Sequence, residues 1–265
     1  MKKIDPFYAI QAGWVRYKNN AGMYTAFTII YLVACLMIAL IGSGMGQMFG
    51  LFGDRVASLI SVIAVGVGTT FLTMGYAHVA RKDERGELIE FGDFFTAFQI
   101  NQKSLIGVVI ITALVSQVGT FLMPDEILYL GSEGEYTTIE DFQMLFEDMG
   151  QLYAQNAGIL VFIFLIQLVF GVGFMFSTYR ASIAGADVLE SLKWSFPRAW
   201  RNFFRIVFLG LITSIMVAIL TIVTFLVGLI VIIPWLMLVQ FEMYDQVDDK
   251  TEELDTISEG FKYEN

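Results

Sequence analysis

One cysteine, one histidine and four prolines in 265 residues narrow the chemistry before any motif is sought. A lone Cys35 forms no intrachain disulfide, so no disulfide framework is present. A lone His78 excludes the ordinary HExxH and multi-histidine sites of zinc hydrolases and iron oxygenases, so no metal or other cofactor is expected. Neither GxSxG nor SxxK occurs, which removes the common serine-hydrolase signatures. His78 is read as a polar cap or interfacial residue, and the chain as not an enzyme. Charge is scarce too: 16% of residues are Asp, Glu, Lys or Arg, against 56% hydrophobic. That balance excludes an ordinary soluble domain and predicts an all-α, polytopic membrane bundle. The net charge of −10 gives no reason to expect a nucleic-acid partner.

Six runs are long enough to span a bilayer, whose ~30 Å core needs about 20 helical residues. They lie at about 23–46, 56–80, 105–123, 158–179, 206–224 and 226–243. The last two share one apolar run of 36 residues from Ile206 to Phe241, with a turn near Thr224 to Gly228. Pro234 is expected to kink the sixth. Residues 1–245 thus form one membrane domain, and the acidic tail 246–265 has too little apolar content to order itself.

Three stretches precede span pairs and share a pattern. Phe7, Ile10, Trp14 and Tyr17 form one face of a short helix, with Arg16 and Lys18 beside it. Phe91, Phe94, Phe95 and Phe98 form a second such face after the charged RKDERGE. In the third, Arg198, Arg201 and Arg205 share a side, Phe196, Trp200, Phe203 and Phe204 fall largely on another, and Pro197 breaks or starts the helix. Each is expected to lie flat at the membrane surface. Aligning the three puts Gly13-Trp14, Ala97-Phe98 and Ser195-Phe196 in register, followed after six residues by Asn20, Ser104 and Asn202 as helix caps. The unit is an interfacial helix plus a two-span hairpin, three times over, by duplication or by the shared demands of the interface.

With an even number of spans and a cytoplasmic N-terminus, 15 of the 16 Lys and Arg lie inside, leaving only Arg55 outside. This bias predicts cytoplasmic N- and C-termini. The long connection 124–157 then faces outward; it holds eight acidic residues and no Lys or Arg. Within it Thr137 and Glu140 fit a capping box, and Ile139, Phe142, Leu145, Phe146, Met149 and Tyr153 form a helical stripe. That stripe, with Phe142 and Phe146 at its centre, either packs on the mouth of the bundle or meets a protein partner or second copy.

The segments RKDERGE with FGDFFTAF, ADVLESLKWSFPRAWRNFF and GLIVIIPWLMLVQFEMYD together resemble a broad bacterial class of six-span integral membrane proteins. That class includes uncharacterised families and the membrane domain fused to some glycerophosphodiester phosphodiesterases. The resemblance covers most of the chain except the outer acidic loop and the tail. It implies a multi-pass protein of the bacterial cytoplasmic membrane, and it brings no catalytic residue, because the fused hydrolase is a separate domain outside this sequence.

The spans hold no charged residue at their centres, which disfavours an ion-driven carrier. The leading expectation is a membrane-embedded scaffold or a lipid- or partner-binding protein. Its contact residues would be Lys193, Trp194, Arg198, Trp200, Arg201 and Arg205, set to meet anionic headgroups or simply to anchor the topology. The alternative is a passive, permease-like pathway for a small or lipidic substrate.

Overall fold

The computed structural model describes residues 3–49, 53–128, 138–224 and 227–248, and every regular element among them is helical. In chain order these are α1 (Pro6–Asn19), α2 (Ala21–Met48), α3 (Asp54–Glu84), a 3-10 helix (Phe91–Phe98) and α4 (Gln102–Leu122). Then follow α5 (Asp125–Leu128), α6 (Ile139–Gln155), α7 (Ala157–Phe174), α8 (Ser177–Ile183), α9 (Val188–Arg201), α10 (Phe203–Val223) and α11 (Leu229–Val247). Among the described residues six stretches are long and apolar enough to cross a membrane: Ala21–Met45, Asp54–Glu84, Gln102–Leu122, Ala157–Ile183, Phe203–Val223 and Leu229–Val247. The chain is a multi-pass membrane protein built as an all-α bundle, with most spans running a few residues past their expected ends.

The packing plan repeats three times. Each surface helix packs on the second span of another hairpin rather than on its own: the preceding hairpin in units two and three, and the third hairpin in unit one. Thus α1 lies across α11, the 3-10 helix on α3, and α9 on α7 and α8. The small residue of each aligned pair sits at or beside the contact: Gly13, Ala97 and Ser195 are all buried. A Cβ on Gly13 would lie 2.9 Å from the Val239 amide nitrogen, so α1 and α11 meet backbone to backbone. In the third unit the Ser195 hydroxyl donates to the Gly173 carbonyl (2.7 Å) and accepts from the Phe176 amide (3.2 Å). It thereby serves the backbone groups freed where span four breaks between α7 and α8.

Several expectations are corrected. The 3-10 helix does not lie open on the surface: Phe94 is fully buried and stacks on Phe27 with centroids 4.2 Å apart. Pro197 neither breaks nor starts α9, which runs through it; its ring is exposed, so the missing N–H falls on the solvated side. Pro234 lies within the single helix α11, a placement that a proline kink shares. None of the three aligned polar residues caps with its side chain. Asn20 donates to Asp83 (3.3 Å), Asn202 bridges the Ile4 amide and the Arg198 carbonyl, and Ser104 lies inside α4, behind Asn101 in the left-handed region. Asn20 and Asn202 are nevertheless the single residues separating surface helix from span in units one and three. The outer capping box is Thr138 with Asp141, one residue later than expected; Thr137 lies outside the described residues.

Helix α6 forms as the stripe predicts, but it is not packed over the bundle. Among the described residues it packs chiefly on α5 and α7, buries none of its own side chains fully, and leaves Phe142 and Phe146 exposed. The tail boundary also moves. Residues 246 and 247 complete α11 and Asp248 is buried, because Asp245 and Asp248 find arginine partners; residues 249–265 lie outside the described residues.

Candidate functional site: a charge network ringed by free cations

At the end of the bundle where the surface helices lie, α1, α3, α8 and α11 converge on a polar network. Arg16 of α1 donates to Glu242 (2.8 Å), Asp83 (2.8 Å) and the Ala80 carbonyl (2.9 Å). Burial works against its charge, but Glu242 and then Asp83 outweigh it and hold the guanidinium above its usual pKa. Arg81 of α3 reaches Asp245 (2.6 Å), Glu84 (2.8 Å) and Asp248 (3.4 Å). Arg180 of α8 reaches Glu190 (3.1 Å) and Asp248 (3.6 Å). Six carboxylates therefore meet three arginines, mostly out of water.

Aromatic rings floor this network. Arg16 and Arg81 lie 5.5 and 5.2 Å from the Phe241 ring, and Trp194 is held between Arg180 (5.0 Å) and Arg198 (4.2 Å). Tyr244 stacks on Tyr179 at 5.3 Å. At the edge, Lys82 pairs with Asp93 (2.9 Å), which also accepts the Glu90 amide (2.7 Å). Burial raises the Asp93 pKa, but these two bonds outweigh it and hold the carboxyl below its usual range.

The sequence-predicted contact residues divide in two. Trp194 and Arg198 turn inward to the network, where Arg198 also donates to the Val247 carbonyl (3.3 Å). Lys193, Trp200, Arg201 and Arg205 face outward, with Phe204 beside them 85% exposed. Arg205 bonds the Ile4 carbonyl, which ties α10 to the chain start. Among the described residues no carboxylate lies within ion-pair distance of Lys18, Lys103, Lys193, Arg201 or Arg205, all of them exposed. The face thus has an acidic centre with matched arginines and a rim of unmatched cations.

Cavities open beside the network and between the spans. One of about 550 Å³ opens beside the network between α1, Glu84 and Glu242. Another, about 260 Å³, lies among α4, α7 and α8, lined by Thr112, Ser116, Gln167 and Thr178. A third, about 450 Å³ and apolar, separates α10 from α11. His78 bonds Ser182 (2.9 Å) and so links α3 to α8. No group of three or more His, Cys, Asp or Glu among the described residues is placed to hold a metal ion. Comparison with family models, with curated proteins and with solved structures finds no match to this chain.

Proposed function

We propose that this chain is a non-enzymatic, membrane-embedded scaffold that gathers anionic phospholipid at its basic end. The observation that carries this reading is the division of cations: the inner arginines are matched by carboxylates, whereas Lys18, Lys103, Lys193, Arg201 and Arg205 are exposed with no ion-pair partner among the described residues. Each cation held near anionic headgroups contributes roughly 1 kcal/mol, and Trp200, Phe203 and Phe204 supply rings suited to the headgroup boundary. Because Trp194 and Arg198 belong to the network, the lipid contact rests on Lys193, Trp200, Arg201 and Arg205. Native mass spectrometry of Lys193→Glu with Arg201→Glu tests it. Anionic lipid retained by the wild type should be lost from the variant while neutral lipid is kept; unchanged lipid content would sink the reading.

The basic end faces the cytoplasm in this reading, and the resemblance to six-span bacterial proteins supports placement in a bacterial cytoplasmic membrane. Both termini then lie inside. A reporter fused after Asn265 should be active only in its cytoplasmic form, and a periplasmic signal would reverse the orientation.

The cavity among α4, α7 and α8 favours a second reading, a passive pathway, since it brings Thr112, Ser116 and Gln167 together within the spans. Gln167 is already bonded to the Ser116 carbonyl, which joins α7 to α4, and Thr112 to the Val108 carbonyl of its own helix (3.0 Å), so these groups are committed before they serve a substrate. Uptake by reconstituted vesicles that ceases on Gln167→Leu would support the pathway.

A further inference from the structure

The third hairpin departs from the plan of the other two. In the first, α2 and α3 close through Gly68 against Ile38, with the Ser61 hydroxyl on the Gly42 carbonyl (2.8 Å). In the second, α4 and α7 close through Gly119, where a Cβ would lie 2.8 Å from the Gln167 side-chain nitrogen and 3.0 Å from Ile163. In the third, α10 and α11 meet at the Thr224–Gly228 turn and then diverge; Gly210 of α10 has nothing within 4 Å. Across the other end lies α1, pinned to α10 by Ile4 on Asn202 (2.9 Å) and to α11 by Trp235 on the Ile10 carbonyl (3.3 Å). The gap is therefore a window with a turn above it, a helix below it and bilayer beside it.

We infer that this window holds an acyl chain of an anionic phospholipid from the leaflet at the basic end, with its headgroup at Lys18. The volume, about 450 Å³, falls in the usual range of ligand cavities, ~300–1,000 Å³. Its walls are Met216, Leu220, Ile232, Trp14 and Trp235. The polar atoms that reach it are already bonded: the Thr224 hydroxyl donates to the Leu220 carbonyl (2.6 Å) and accepts the Gly228 amide (2.9 Å), and the Trp235 N–H is on Ile10. A polar ligand would gain nothing there and lose its hydration, whereas a hydrocarbon chain fits without cost. Charge selects the headgroup. Lys18 stands one helical turn after Trp14 on the same exposed face of α1, with no carboxylate of the described residues in ion-pair range. A chain that passes Trp14 into the window leaves its phosphate beside that ammonium.

This inference rests on the anionic-lipid reading above but uses different residues, so each fails separately: reversal at Lys193 and Arg201 tests the rim, and Trp235 reports the window. Trp235 is only 6% exposed, so a bromine on a lipid chain reaches it only from inside the window. The experiment uses the full chain with Trp14, Trp194 and Trp200 changed to Phe, in nanodiscs of phosphatidylglycerol with brominated chains. Trp235 emission should fall relative to unbrominated lipid, recover when Val231→Phe fills the window, and show about a fivefold weaker preference for phosphatidylglycerol over phosphatidylcholine in Lys18→Gln, the effect of one cation near headgroups. Unquenched Trp235, or quenching that survives Val231→Phe, overturns the inference; so does a second copy found in the window by cross-linking through residue 231. Should the triple Phe background not fold, stepwise delipidation of wild type against Val231→Phe replaces it. One fewer tightly held phosphatidylglycerol in the variant supports the window, and equal numbers overturn it.

Discussion

Arg16→Ala should destabilise the protein by about 3–5 kcal/mol in detergent, enough to lower its thermal transition and release α1 from the bundle. The substitution removes the only cation among the described residues within ion-pair reach of Glu242, whose side chain is 5% exposed, and one partner of Asp83. A buried carboxylate left without its cation must be protonated or rehydrated, and either costs more than the pair contributes while intact. The same change frees the Ala80 carbonyl and empties the contact with the Phe241 ring. A double variant separates charge from packing: Arg16→Met with Glu242→Leu removes both charges together and should recover most of the loss. If Arg16→Ala melts with the wild type, the network is decoration and α1 is held by Gly13 and Trp14 alone.

Most of the architecture was legible because hydropathy measures what a bilayer demands. Each span needs about 20 apolar residues, and a run of 36 from Ile206 to Phe241 has to turn back on itself. The repeat was legible as well, through small residues beside aromatics, because close helix contact needs a missing side chain at the crossing. Partners were not legible. The carboxylate at 248 reads as part of a solvated tail, since its cations, Arg81 and Arg180, stand far back in the chain. Aromatic periodicity has a similar blindness: Phe94, packed on Phe27, and Phe204, exposed, produce the same signal, because a ring facing protein and a ring facing headgroups obey one spacing. The basic segment was misjudged for a geometric reason. Arg198, Arg201 and Arg205 share a face only if one helix carries them all, and Asn202 ends α9 before Arg205 is reached. The splay of α10 from α11 left no trace in composition, since each helix is apolar enough to cross a membrane whether or not it touches the other.

Gly75→Ala should cost about 3 kcal/mol, a penalty out of proportion to one methyl group. An added Cβ would fall well inside van der Waals contact of the Phe94 carbonyl oxygen and 3.3 Å from the Phe27 ring. Where the obstacle is a side-chain end, rotation relieves it, so Gly173→Ala against the Phe196 ring should be milder. Here the obstacle is main chain in a 3-10 helix fixed at both ends, by the Lys82–Asp93 pair and by the Phe71–Phe98 stack at 5.0 Å. Relief requires the whole segment to lift from α3, and that would unstack Phe94 from Phe27 as well. Gly210→Ala is the internal control: nothing lies within 4 Å of that position, and the added methyl should leave stability unchanged or slightly raised. Thermal unfolding of the two variants side by side decides the matter. Equal transitions would mean that the 3-10 segment is free to move off α3, and the threefold packing of surface helices on the second spans of neighbouring hairpins would lose its middle member.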